Sequence, residues 1–117
     1  MAYTEKFQKL ADGACSRVEG VTADHVDALM ADGAVVLDIR DSEEHQAGHI
    51  AGSLNISRGK LEMLVEGEIP DLDSTILCYC NAVNRGALSA DTLRSMGYVN
   101  AKYIDGGLIA YRELAGK

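Results

Sequence analysis

After residue 20 the chain alternates short apolar runs with stretches that carry helix caps and helical spacing, and that alternation restricts it to few folds. The runs "AVVLDI" at 34–39 and "TILCY" at 75–79 are apolar at nearly every position, not at every second one. A strand of that kind is buried on both faces, so helices must cover the sheet above and below. The pattern predicts an α/β domain: a mainly parallel central sheet flanked by helices.

Local signals place the elements between and around these strands. Thr22 is positioned to cap a helix carrying Val26, Leu29 and Met30, and Gly33 ends it as a left-handed C′ residue. Asp41 or Ser42 opens a short helical turn, with Glu44 three residues after Asp41 as a capping-box partner and Gly48 at its end. The segment "HIAGSLNI" at 49–56 has loop and short-strand character, and Ser57 is placed to cap a helix bearing Leu61, Leu64 and Val65. A helix from about Arg85 presents Ala90, Leu93 and Met96 to the core and stops at Gly97. A last strand, "AKYI" at 101–104, leads through Asp105-Gly106-Gly107 to a C-terminal helix with Leu108 and Tyr111. Ahead of all this, Phe7, Leu10 and Ala14 recur at helical spacing, which predicts an extra amphipathic N-terminal helix. The expected organisation is a helical extension at 1–17 followed by one domain at 18–117.

Composition narrows the function. A chain of 117 residues, 47% hydrophobic and 25% charged, is ordinary globular material large enough to bury one core. Its net charge of −7 argues against nucleic acid or an anionic membrane as partner, because both need a basic patch. The opening Met-Ala-Tyr-Thr-Glu-Lys lacks a basic segment followed by an apolar one, so the cytoplasm is the expected compartment. Three cysteines, Cys15, Cys78 and Cys80, are an odd count in a chain that needs no staples, which argues against a disulfide framework. His25, His45 and His49 have no metal-ligand spacing with them, so neither a metal nor another cofactor is implied.

Cys80 is the candidate nucleophile. It stands where an apolar strand ends and a helix begins a few residues later, the place where open α/β sheets bind ligands. Peptide N–H groups in such a turn can form an anion cradle. The positive end of the helix and the nearby Arg85 both favour the ionised thiol, which is the nucleophilic form. Cys78 lies within the strand and reads as structural, as does Cys15.

Three ordered segments now carry a resemblance: "LDIRDSEEHQAGHIAGSLNI" from Leu37, "ILCYCNAVNRGALSA" from Ile76 and "YIDGGLIAY" from Tyr103. Over roughly residues 18 to 115 the chain resembles the rhodanese family, single-domain sulfurtransferases that move sulfane sulfur through a cysteine persulfide. The resemblance implies that Cys80 opens a six-residue loop, with Asn81, Ala82, Val83, Asn84 and Arg85 binding the substrate. Arg58 resembles a further basic residue of some members. The resemblance makes Asp38 and Arg40 a charge pair or cap, and His49, within the Gly48-His49-Ile50 match, a structural histidine. Related phosphatases and arsenate reductases have one more loop residue. The sequence departs from the family pattern at Val83, where glycine is common, near Asn81, where a second basic residue is often found, at Gly86, where serine is usual, at Tyr111, where tryptophan is usual, and at His45, where an aromatic is usual.

The implied activity is transfer of sulfane sulfur from a small sulfur-containing anion, thiosulfate by default, to a thiol or cyanide. A sulfur-relay protein is a further conceivable partner. The rivals are a persulfide-binding module with little turnover and, with less support from the loop length, a phosphatase or arsenate reductase.

Overall fold

A computed structural model describes residues 3–114, so the outermost ends of the two expected segments, 1–2 and 115–117, lie outside the described residues. The elements run α1 (Glu5–Arg17), β1 (Gly20–Thr22), α2 (Val26–Ala31), β2 (Val35–Asp38), α3 (Ser42–Ala47), β3 (Leu54–Asn55), α4 (Leu61–Glu68), β4 (Ile76–Tyr79), α5 (Asn84–Ser95), β5 (Ala101–Asp105) and α6 (Gly107–Leu114). The five strands pair in parallel in the order β1-β5-β4-β2-β3. No helix among the described residues is long and apolar enough to cross a membrane.

The two continuous apolar runs become the sheet's adjacent central strands, with Val35 opposite Ile76 and Asp38 opposite Tyr79. Alternation divides their side chains between two cores. Leu37, Ile76, Cys78 and Cys80 join Leu61, Val65, Ala90 and Leu93 on one face. Val36, Leu77 and Tyr79 join Val26, Ile50, Ile104 and Leu108 on the other. Cys78 and Cys80 therefore share a face, two residues apart, while Tyr79 points the opposite way.

Helix boundaries follow the capping residues in most places. Thr4 Oγ1 accepts from the Phe7 N–H at 3.3 Å at the start of α1. The Asp41 N–H donates to Glu44 Oε1 at 3.4 Å, completing the expected capping pair. Gly33 and Gly97 end their helices with φ of 100° and 103°, the left-handed region that glycine enters without steric cost.

Three local expectations need correction. Thr22 ends the edge strand β1, and its hydroxyl meets His25 Nδ1 at 3.0 Å instead of capping α2. Three residues are too few for alternation to show, so β1 forms because Gly20 to Thr22 pair with Tyr103 to Asp105. Ser57 leads into a short 3-10 turn without a side-chain cap, and Leu64 is on the exposed side of α4, where Leu61 and Val65 alone are buried.

Candidate active site

The C-terminal edge of the sheet carries two neighbouring turns. The first follows β2 and is organised around Asp38, which is fully buried. Arg40 is bound to it by two contacts, Nε to Oδ1 at 2.9 Å and Nη2 to Oδ2 at 2.7 Å. The same Nη2 donates to the Gly48 carbonyl at 2.7 Å. His45 Nδ1 lies 2.9 Å from Asp38 Oδ2, and the Tyr79 hydroxyl donates to that oxygen at 3.2 Å while accepting from the Ile50 N–H at 3.1 Å. Asn55 Nδ2 donates to the carbonyls of both Asp38 and Arg40 at 3.0 Å. Burial alone would push the Asp38 carboxyl up, but the hydrogen bonds from Arg40 and His45 outweigh it and hold the group below the usual carboxylate range. Asp38 and Arg40 are thus a buried pair, and the exposed His49 stacks on His45 at 3.7 Å with its Nδ1–H donating to the His45 carbonyl.

The second turn, residues 80–86, follows β4. Cys80 is only 4% exposed, and Cys78 behind it is fully buried. Burial pushes the Cys78 thiol far up, and the adjacent Cys80 adds to this, so Cys78 is not the ionised thiol at neutral pH. Among the described residues, none of the N–H groups of residues 81–86 meets a backbone acceptor. Their carbonyls explain why. The Cys80 carbonyl accepts from the Leu108 N–H at 2.9 Å, and the Asn81 carbonyl accepts from the Ile109 N–H at 3.1 Å. With its oxygens occupied by the first turn of α6, the loop is left with a run of unpaired donors.

Two glycines allow this packing. Gly107, at φ 56°, lies so close to the loop that a Cβ there would collide with the Cys80 carbonyl and come within 2.6 Å of the Ala82 carbonyl oxygen. A Cβ on Gly86 would come within 3.2 Å of the Cys78 carbonyl oxygen, so glycine lets α5 seat directly on β4. Val83 has a φ of −128°, outside the left-handed region, and needs no glycine.

A recess of about 120 Å³ opens beside the thiol, lined by Tyr3, Phe7, Cys80, Asn81, Ala82, Asn84 and Arg85. Four of the expected binding residues therefore meet there, and two do not. Val83 is not part of the lining, and Arg58 is exposed in the turn before α4, where its N–H donates to the Ile39 carbonyl at 3.0 Å. The polar side chains of three of the four, Asn81, Asn84 and Arg85, are also more committed than expected. Asn81 Oδ1 accepts from Arg40 Nη1 at 3.1 Å, and its Nδ2 donates to Glu44 Oε2 at 3.3 Å. Asn84 exchanges two hydrogen bonds with Gln8 on α1.

Arg85 is the largest difference from expectation. Its guanidinium makes a two-pronged contact with Glu44, at 2.9 and 3.2 Å, so its charge is already opposed before any ligand enters. The hydrogen bond to Glu44, then that carboxylate's charge and that of Cys80, raises the Arg85 pKa further, and the Arg85 hydrogen bond holds Glu44 low. Glu44 had only a capping role in the sequence. A second signal exists: Glu44 is six residues beyond Asp38 and Arg85 six beyond Tyr79, and those strand-end residues are register partners. Tyr3 and Phe7 left no such trace. Among the described residues no group of three or more His, Cys, Asp or Glu is placed to hold a metal ion.

The arrangement offers one nearly buried thiol, a run of backbone donors and one guanidinium, which suits an anion that becomes covalently attached through sulfur. The chain matches the family model for the rhodanese-like domain over residues 22–114. It is 33% identical over 97 residues to the thiosulfate sulfurtransferase GlpE of Pseudomonas entomophila (strain L48), covering 83% of this chain and 87% of that one. It superposes with a TM-score of 0.85 and 30% identity on RPA3614 of Rhodopseudomonas palustris CGA009, a protein of unknown function described as a possible tyrosine phosphatase, over 100% of this chain and 96% of that one. The human single-domain sulfurtransferase TSTD1 superposes with a TM-score of 0.72 and 30% identity over 86% of this chain and 97% of that one. With the Cys80 loop, the parallel sheet and these matches in agreement, the chain belongs to the rhodanese-like domain family.

Proposed function

We propose that the protein is a sulfurtransferase that carries sulfane sulfur as a persulfide on Cys80, with thiosulfate as a donor and a thiol or cyanide as the acceptor. The observation that carries this reading is the loop itself: a thiol 4% exposed, followed by N–H groups at 81–86 that meet no backbone acceptor among the described residues. The Cys80 thiolate attacks the outer sulfur of thiosulfate, the new S–S bond forms as the donor's S–S bond breaks, and sulfite leaves with the electron pair. The product is a persulfide anion, and the loop N–H groups stabilise its terminal sulfur. An acceptor nucleophile then takes that sulfur and returns Cys80 to the thiolate. No general base is required, since a thiolate is already the nucleophile. Arg85 contributes the positive charge nearest the incoming anion, and Arg40 acts at a distance by holding the Asn81 side chain. The names of the thiosulfate sulfurtransferase relatives support the same class. The loop from Cys80 to Arg85 has six residues, the sulfur-type length, which argues against a phosphatase.

Intact-mass measurement after incubation with thiosulfate tests the reading. One added sulfur, removable by cyanide, should appear in the wild type and in Cys78→Ser and Cys15→Ser, and be absent from Cys80→Ser. Hydrolysis of an aryl phosphate without any sulfur uptake would assign the site to phosphate chemistry instead.

A further inference from the structure

The N-terminal helix lies outside residues 22–114, the part that matches the family, yet it reaches the thiol. We propose that Tyr3 and Phe7 make the recess select sulfane-sulfur donors whose leaving group carries a flat apolar organic part, such as an aryl thiosulfonate, over inorganic thiosulfate. The proposal rests on the Cys80 persulfide reading and concerns what the transferred sulfur is attached to.

Three observations carry it. The Tyr3 and Phe7 rings are neighbours, their centroids 5.3 Å apart and their planes tilted by 45°, and Tyr3 remains 58% exposed. An aromatic pair left open at the mouth of a recess gains free energy when a flat apolar group covers it. Next, the helix that carries Phe7 is tied to the helix that follows the thiol loop: Gln8 Nε2 donates to Asn84 Oδ1 at 3.3 Å, Asn84 Nδ2 donates to Gln8 Oε1 at 3.1 Å, and α1 packs along α5. Phe7 and the thiol loop are therefore joined through α1 and α5. Finally, the charges around the loop are already matched, Arg85 by Glu44 and Arg40 by Asp38. A thiosulfate dianion brings two charges to this compensated site, whereas an organic thiosulfonate brings one. The volume of about 120 Å³ is below the ~150 Å³ of a cavity that encloses benzene, so the sulfane end enters while the ring stays at the mouth against Tyr3 and Phe7.

The step balances as it does for thiosulfate. Cys80 sulfur bonds to the terminal sulfur of the thiosulfonate, the donor's S–S bond breaks, and the sulfinate leaves with the electron pair. The two negative charges on the reactants reappear on the persulfide and the sulfinate.

The test compares kcat/KM for benzenethiosulfonate, methanethiosulfonate and thiosulfate, with persulfide formation followed by intact mass. The wild type should favour benzenethiosulfonate over thiosulfate, and over methanethiosulfonate by about tenfold, the order expected for covering one face of an aromatic ring. Tyr3→Ala and Phe7→Leu, checked for wild-type far-UV circular dichroism, should each reduce that preference, mainly through KM for the aryl donor. Leu10→Ala, on the same helix but outside the recess, should retain it. Equal use of the two thiosulfonates by the wild type, thiosulfate used as well as benzenethiosulfonate, or a preference unchanged in folded Tyr3→Ala and Phe7→Leu, overturns the proposal. A wild type that gains no sulfur from any of the three donors overturns the persulfide reading itself, an outcome distinguished by mass.

Discussion

The turn after β2 and the turn after β4 lie side by side at one edge of the sheet, and they use their polar groups in opposite ways. In the first, the Asp38 carboxylate, the Arg40 guanidinium and the Tyr79 hydroxyl satisfy one another in a buried network. In the second, the carbonyls of Cys80 and Asn81 are satisfied by α6 while the N–H groups of 81–86 find no backbone acceptor among the described residues. The first turn builds a rigid support, and the second leaves its donors for a ligand. Asn81 joins them, its side chain held by Arg40 while the residue lines the recess. A loop with unpaired donors keeps its shape only against a rigid neighbour, because nothing within the loop itself defines it.

Breaking the rigid turn should have the largest effect on the molecule. Asp38→Asn leaves the buried Arg40 without its counter-charge and should destabilise the fold by about 3–5 kcal/mol in chemical denaturation. The pH dependence follows from the depressed Asp38 carboxyl. A carboxyl held below its unfolded value of about 3.9 contributes stability above that pH and loses it as the pH falls through the lower folded value. Wild-type stability should therefore decline below about pH 4, and the part due to this group should be missing in Asp38→Asn. A variant as stable as wild type at pH 7 would mean that the network does not support the loop.

Disturbing the open turn should cost less stability and more activity. Gly107→Ala places a Cβ against the Cys80 and Ala82 carbonyls at a φ of 56°. It should destabilise by about 2 kcal/mol and slow sulfur loading of Cys80 by about tenfold, since the donors move with those carbonyls. Unchanged loading would show that the α6 contact does not shape the cradle.

The smallest effect on stability should come from the ion pair that joins the two turns. Both members are about one-third exposed, so solvent screening keeps its net contribution to stability small. Glu44→Gln removes the charge opposing Arg85 and should raise kcat/KM for thiosulfate by about threefold, while Arg85→Ala should lower it by about tenfold. If both variants matched wild type at low thiosulfate, the guanidinium would have no part in donor binding.

The sequence by itself determined the layers and the place of Cys80. Continuous apolar runs required strands covered on both faces, capping residues and left-handed glycines marked most helix ends, and Cys80 at the close of an apolar strand could only face a turn. These are short-range properties, set by side-chain hydrophobicity and by which residues tolerate which backbone angles within a few positions. What it left undecided was how the polar groups pair. Glu44 meets Arg85 and Arg40 meets Asn81 across 41 positions, and Gln8 meets Asn84 across 76. The capping pattern in the sequence accounted for Glu44 locally, and nothing near Tyr3 or Phe7 marked them as part of a site. Only the parallel pairing of β2 with β4, with Asp38 opposite Tyr79, and the packing of α1 along α5 bring those residues together. Strand order is a property of the whole core: it depends on which arrangement buries both apolar faces at once, and no local window of the chain contains that information.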